Sequence, residues 1–384
     1  MRQFPAIFVY GFAIFAMFFG SGNLVFPLQI GFAAGDHWLM GFTGLLLTGI
    51  LLPFTGLFVI KIYRGDYLKF FGEAGTLAQR FLPLFMLSLM GPFGVIPRCI
   101  TVAWGSLADL SIAPSLPVFS LVFGALMYIL CRNDRLMIQI LGKWLSPLLM
   151  ISLALLIGAV LVKAPASLDP VAGSQAFGQG FLSGYQTMDL FAAFFFAALV
   201  FAQIQQRMPD ASHREQLLFA IKPAILGAAL LALVYMGFVF SGAHYAPLLR
   251  NTPPEQMLSR IATQALGSKA SILLGLALCL SCLTTAVALN KLFSTWLADN
   301  LRLQPKYFPR LLLATCALSC AMSLLNFTGI AAFLAPVLEI TYPGLISLTL
   351  LTLLFARSHI LKKLVFYGIT VTMTGWFVME KFLS

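Results

Sequence analysis

The run Phe18-Phe19-Gly20-Ser21-Gly22-Asn23-Leu24-Val25-Phe26-Pro27 interrupts the first apolar segment of this chain. The pattern is helical on both sides, from Pro5 to Phe19 and again from Leu24 to Ala34. Two glycines, a serine, an asparagine and a proline lie between or just beyond. Inside a bilayer such a break is costly, because lipid offers nothing to freed N–H and C=O groups. It survives only where protein or a watery cavity satisfies them. Secondary transporters bind substrate and coupling ion in cavities of that kind, so the break points to a transporter.

The rest of the chain suits a bilayer. Of 384 residues, 60% are hydrophobic and 10% charged, against roughly a quarter charged in a soluble protein. A spanning helix takes about 20 apolar residues, so short loops leave room for roughly eleven or twelve spans and no soluble domain. The fold class read from this pattern is an all-α integral membrane protein. The net charge of +11 does not mark a nucleic-acid binder, since the basic residues cluster at span ends. Arg2 before an apolar run has the form of a signal peptide, but the apolar pattern continues through Leu28 and Ile30, as a retained span would. Cys99, Cys131, Cys279, Cys282, Cys316 and Cys320 all sit in apolar runs without zinc-type spacing, and read as packing residues.

The pattern places spans near 5–34 (broken), 39–62, 81–107, 115–131, 142–163, 185–206, 219–241, 269–297, 309–325, 327–340, 343–357 and 363–383. Basic residues alternate between loops. Lys61, Arg64, Lys69 and Arg80 follow span two; Arg132, Arg135 and Lys143 follow span four; Arg207, Arg214 and Lys222 follow span six; Lys291, Arg302, Lys306 and Arg310 close span eight. The intervening loops hold little beyond Lys163, which puts the N-terminus in the cytoplasm. At the C-terminal end the rule conflicts with a count of twelve, because Arg357, Lys362 and Lys363 then fall outside. Fusing 327–357 into one crossing, for about eleven spans, would bring them inside. Asp169 to Gln179 reads as a polar connector. Pro253 to Leu266 reads as an amphipathic surface helix on the external side.

Span six opens Gly178-Gln179-Gly180-Phe181-Leu182-Ser183-Gly184-Tyr185-Gln186-Thr187-Met188-Asp189. Spans one and six thus carry awkward chemistry at matching points of two five-span halves, and paired interrupted helices mark transporter sites. An odd number of spans per half inverts one half relative to the other. A broken helix presents N–H groups on one half-helix and C=O groups on the other, which suits a zwitterionic amino acid. Gly20 and Gly22 permit close ligand approach. Asp189 has three possible uses: substrate ammonium, a proton, or a helix cap. Arg98 lies deep in span three, where it reads as a gating or structural charge with a carboxylate or carbonyl partner. On span eight, Ser281, Thr284 and Thr285 offer oxygens for a small cation, although buried threonine also bonds its own backbone. Phe15, Phe19, Phe93 and Phe191 are candidates for an apolar substrate pocket. There is no histidine cluster, metal spacing or nucleophile–base pair, so the chain does not read as an enzyme. Nor is there a charged ring or filter sequence for a channel.

The stretches FGSGNLVFP (19–27), MGPFGVIPR (90–98), GYQTMD (184–189), CLTTA (282–286) and APVLEITYPG (335–344) together resemble the branched-chain amino acid:cation symporters, bacterial carriers of leucine, isoleucine and valine. The resemblance covers almost the whole chain. It implies the LeuT-type fold with about twelve helices: a first inverted repeat over 1–163, a second over 164–341, and two accessory helices over 342–384. It implies Na+-driven uptake across the bacterial inner membrane and no other cofactor; the alternative is a proton-coupled carrier of the same fold for other apolar amino acids. By the same resemblance, main-chain oxygens of Ala16 and Phe19 with Ser281, Thr284 and Thr285 hold Na+. The substrate meets Ser21, Gly22 and Asn23 at one break and Thr187, Met188 and Asp189 at the other. The expected partners are the amino acid, the ion and the lipid bilayer.

Overall fold

A computed structural model describes residues 4–107, 114–132, 145–165, 168–207, 213–355 and 358–383. Of the residues read from sequence, Arg2, Arg135, Lys143 and Arg357 lie outside them. The described residues form helices and loops without strands. In chain order the helices are α1 (Phe4–Phe18), α2 (Ser21–Ala34), α3 (Trp38–Leu45), α4 (Leu52–Ile62), α5 (Tyr67–Gly72), α6 (Thr76–Met90), α7 (Val95–Leu107), α8 (Leu116–Arg132), α9 (Leu145–Lys163), α10 (Gly173–Gln186), α11 (Asp189–Arg207), α12 (His213–His244), α13 (Ala246–Leu249), α14 (Met257–Leu266), α15 (Ser268–Asn300), α16 (Phe308–Ser323), α17 (Asn326–Leu354) and α18 (His359–Leu383). Five stretches are long and apolar enough to cross a bilayer: Ser21–Ile62, Thr76–Leu107, Phe219–His244, Ser268–Asn300 and Asn326–Leu354. Shorter apolar helices accompany them, and the chain is a multi-pass membrane protein.

Two expected spans, 327–340 and 343–357, are a single helix. α17 runs 29 residues through Pro336 and Pro343, about 43 Å at 1.5 Å per residue. Between the prolines, Thr341 Oγ1 donates to the Val337 carbonyl at 2.7 Å, the kind of local bond that lets membrane helices tolerate proline. The two expected spans 327–340 and 343–357 are thus not separate helices among the described residues. The boundary drawn at 341/342 falls inside α17, and one helix, not two, follows it.

Three passes are interrupted within the apolar layer. Span one breaks at Phe19 and Gly20, where Gly20 is extended (φ −109°, ψ −174°). Span six breaks at Thr187 and Met188, and Met188 has φ 58°. Span three also breaks: α6 ends at Met90 and α7 begins at Val95, with Gly91–Gly94 turning between them. The sequence reading ran span three straight through this turn. It also began span six too late, since α10 starts at Gly173, inside the expected connector. Asp36 Oδ1 accepts from Val171 N at 2.9 Å, and Asp36 N donates to the Asp169 carbonyl at 3.0 Å. These bonds staple the remaining connector to the turn after α2. The Val171 N–H, and then His37, hold the Asp36 carboxyl below its ordinary range.

Glycine contacts fix the half-helices. A Cβ on Gly180 would lie 1.9 Å from the Gly41 carbonyl oxygen, and one on Gly31 would lie 1.8 Å from that of Val239. α10 therefore packs backbone to backbone on α3, and α2 does the same on α12. Thr48 Oγ1 ties the first pair with a 2.8 Å bond to the Phe181 carbonyl. α14 is amphipathic as read, with Arg260 and Gln264 exposed and Met257, Leu258, Ile261, Ala262 and Ala265 buried against the bundle.

Candidate functional site

The breaks in spans one and six face each other, and one side chain joins them. Asn23, in the first turn of α2, donates through Nδ2 to the Phe18 carbonyl at the end of α1. The same nitrogen lies 3.2 Å from each carboxylate oxygen of Asp189, the first residue of α11. α2 starts at a glycine, with no side chain capping it, so its first N–H groups are orphan donors where Ser21 and Gly22 line the site. At the other break Thr187 Oγ1 donates to the Gly184 carbonyl at 2.9 Å and sits 3.4 Å from Asp189 N. Asp189 is 4% exposed, and Tyr235 Oη from α12 lies 3.3 Å from its Oδ2. Among the described residues no cation pairs with it.

Arg98 enters from span three, one turn past the Gly91–Gly94 break, and is 1% exposed. Its partner is a carbonyl, one of the two kinds expected. Nη1 donates to the Gln186 main-chain oxygen and Nη2 to Gln186 Oε1, each at 2.6 Å. The guanidinium carbon lies 4.9 Å from the Phe26 ring centre and 5.5 Å from that of Phe327. Spans one, three, six and ten thus meet at one cation. Asn23 Oδ1, Arg98 Nε and Tyr342 Oη are buried here with no protein partner.

Between these groups lies a cavity of about 40 Å³, lined by Gly20, Ser21, Gly22, Arg98, Thr187, Met188, Asp189 and Thr285 together with Met17, Phe18, Met90, Val95, Ala192, Phe196 and Leu289. That volume holds a few water molecules, so an amino acid enters only if the walls separate. Asn23 stands behind the lining at the bridge. Phe93 is not in the wall: it is half-buried in the Gly91–Gly94 turn, and Met90 and Val95 line the cavity from span three. Phe15 and Phe19 stack on each other, centroids 5.0 Å apart, and Phe191 stacks on Tyr342 at 5.0 Å. Neither pair lines the cavity.

Of the expected ion ligands, Thr285 lines the cavity, its Cγ2 4.0 Å from where a Cβ on Gly20 would sit. Ser281 and Thr284 lie off the wall, and the hydroxyls of Thr284 and Thr285 donate to the Ser281 carbonyl at 2.6 and 3.2 Å. Ala16 is exposed and Phe19 buried. Cys99, read as packing, touches the site through a 3.4 Å contact with Ser21 Oγ. Gln186 and Tyr235 escaped the sequence reading. Gln186 had a signal, being a polar residue inside GYQTMD; Tyr235 in an apolar run had none.

The family model for branched-chain amino acid transport proteins matches residues 4–384. The chain belongs to that family. It is 30% identical over 372 residues to the branched-chain amino acid permease BrnQ of Bacillus subtilis (strain 168), covering 91% of this chain and 81% of that one. It is 28% identical over 373 residues to the BrnQ permease of Corynebacterium glutamicum, covering 95% and 84%, and 27% identical over 350 residues to the BraB permease of B. subtilis, covering 87% and 77%. These relatives are named as permeases, which makes this family member a transporter rather than an enzyme. Within it, the five stretches that carried the resemblance all fall on or beside the cavity: two at facing breaks, one supplying Arg98, one supplying Thr285, and one containing Tyr342.

Proposed function

We propose that this protein imports leucine, isoleucine or valine in symport with Na+, by alternating access, across the bacterial inner membrane with its N-terminus in the cytoplasm. The observation that carries the reading is the Asn23 bridge between the two breaks, because it puts a buried carboxylate and uncapped helix N–H groups around one cavity. Asp189 receives the substrate ammonium. The orphan N–H groups at the start of α2 offer positive dipole to the carboxylate end. Met90, Val95, Phe196 and Leu289 supply apolar surface for a branched side chain. The ion lies between main-chain oxygens of Ala16 and Phe19 and the span-eight residues Ser281, Thr284 and Thr285. Hydroxyls that donate to Ser281 keep lone pairs for a hard cation.

The architecture proposed is the LeuT type, with a first repeat over 1–163, a second from 164 to the end of α17, and α18 as the accessory helix. Rocking of one part against the other opens the cavity to each side in turn. A second reading, a proton-coupled carrier of the same fold for other apolar amino acids, draws on one observation: Asp189 is a buried carboxylate with no cationic partner among the described residues. Uptake of radiolabelled leucine into proteoliposomes tests both. Accumulation under an inward Na+ gradient supports the first reading, and accumulation under an inward H+ gradient alone supports the second. No uptake of any branched-chain amino acid by folded protein rejects the first reading, and no uptake of other apolar amino acids under an inward H+ gradient rejects the second.

A further inference from the structure

The Arg98 guanidinium grips two oxygens in a fork. Its two terminal nitrogens each take one, both at 2.6 Å, and both oxygens belong to Gln186. Two parallel bonds from one guanidinium are how arginine holds a carboxylate. Here an amide oxygen and a main-chain oxygen take the two donors that a carboxylate takes in such a fork. Three further observations make the fork a ligand site rather than a fold pin. Arg98 lines the cavity beside Asp189. It is 1% exposed, with Nε lacking any protein partner. No carboxylate among the described residues pairs with it, although a buried charge is stable only when compensated. The cavity thus carries one buried cation and one buried anion that do not pair with each other, the charge pattern of a zwitterion in reverse.

We propose that Arg98 binds the carboxylate of the transported amino acid, and that Gln186 is a built-in stand-in which the substrate displaces. The inference rests on the amino-acid reading above and assigns the carboxylate a side-chain partner in addition to the α2 N–H groups. Displacement has a hinge. Gln186 is the last residue of α10, and Met188 two residues later holds φ 58°, a left-handed conformation that non-glycine residues adopt at a cost. A turn about Thr187–Met188 withdraws the Gln186 oxygens while the Phe26 and Phe327 rings keep the guanidinium in place. The exchange conserves hydrogen bonds, so the fork is never bare. Amines without a carboxylate do not drive it.

The test compares leucine with leucinamide, which keeps the ammonium and side chain but lacks the carboxylate. Binding of both to purified full-length protein is measured, by direct titration and by competition. Arg98→Gln is expected to weaken leucine about 10- to 100-fold, the range for a lost charged hydrogen bond, and to leave leucinamide within about threefold by the same argument. Arg98→Lys, which keeps the charge but not the fork, falls between. Gln186→Ala removes the competing side chain and leaves leucine affinity equal or tighter. Parallel loss of leucine and leucinamide in folded Arg98→Gln, or weaker leucine binding by Gln186→Ala, overturns the proposal and makes Arg98 a structural pin. Wild-type protein that binds neither compound overturns the amino-acid reading beneath it.

Discussion

Lys362 Nζ lies 3.0 Å from Glu73 Oε2, although the two residues are 289 apart in sequence. Lys362 is 0% exposed and Glu73 9%, and His359 Nδ1 reaches the same carboxylate oxygen at 2.5 Å. Glu73 follows the second pass; His359 and Lys362 open the last. Their contact puts the loop after pass two and the loop before α18 on one side of the bilayer. That arrangement requires α17 to be one crossing, so the ion pair favours eleven passes over twelve. With α17 as one crossing, Lys362 and Lys363 would follow the same charge rule as the other loops.

An odd number of passes puts the two termini on opposite sides. With the N-terminus in the cytoplasm, a C-terminal alkaline phosphatase fusion is expected to be active and a C-terminal green fluorescent protein fusion dark. The reverse pattern, with both fusions expressed to equal levels, would return α17 to two crossings.

The Glu73 carboxylate also holds α18 against the rest of the bundle. Glu73→Gln takes the charged acceptor away from Lys362, and disrupting a buried pair from one side costs about 3–5 kcal/mol. Thermal unfolding in detergent is expected to begin well below wild type. Replacing Glu73 and Lys362 together with leucine and methionine should restore most of the loss, since apolar pairs of similar volume substitute well for buried ion pairs. A single variant with unchanged melting would show that the pair adds nothing to stability.

Much of this was legible in the sequence, for identifiable reasons. Glycine next to asparagine and proline inside an apolar run has no stable place in a straight membrane helix, so the span-one break could be read directly. GYQTMD announced the second break in the same way. The turn at Gly91–Gly94 was hidden because its flanks, Met90 and Val95, continue the apolar pattern without a step in polarity. Pro336 and Pro343 misled in the opposite direction: proline ends helices in water, but in α17 neighbouring helices and Thr341 keep the helix continuous. Phe93 is a candidate by residue type, and type alone does not separate Phe18 and Phe196, which line the cavity, from the many phenylalanines that fill the core. Tyr235 and Gln186 reach the site from positions that only the packing of α12 and α10 defines.

Among the described residues Asp189 is the one carboxylate lining the cavity, so its charge is expected to be essential. Asp189→Asn keeps the shape and much of the hydrogen bonding to Asn23 and Tyr235 but removes the negative charge. Leucine uptake is expected to fall by about 10- to 100-fold, the range for a lost charge-assisted bond, at every pH from mildly acidic to mildly alkaline. Full uptake across that range would reduce Asp189 to a cap on α11.

The span-eight hydroxyls separate ion binding from helix stability. Thr284 and Thr285 both bond the Ser281 carbonyl within their own helix, a local arrangement that adds little to helix stability. Replacing both with alanine should therefore leave insertion and melting close to wild type while abolishing the Na+ stimulation of uptake. The informative quantity is the ratio of uptake with Na+ to uptake with choline as the external cation. A ratio that falls to about one places the ion at span eight, because two lost oxygen ligands leave too few for a small hard cation. A wild-type ratio would remove Thr284 and Thr285 from the ion site and direct attention to the carboxylate and amide oxygens of Asp189 and Asn23, residues that meet at the facing breaks.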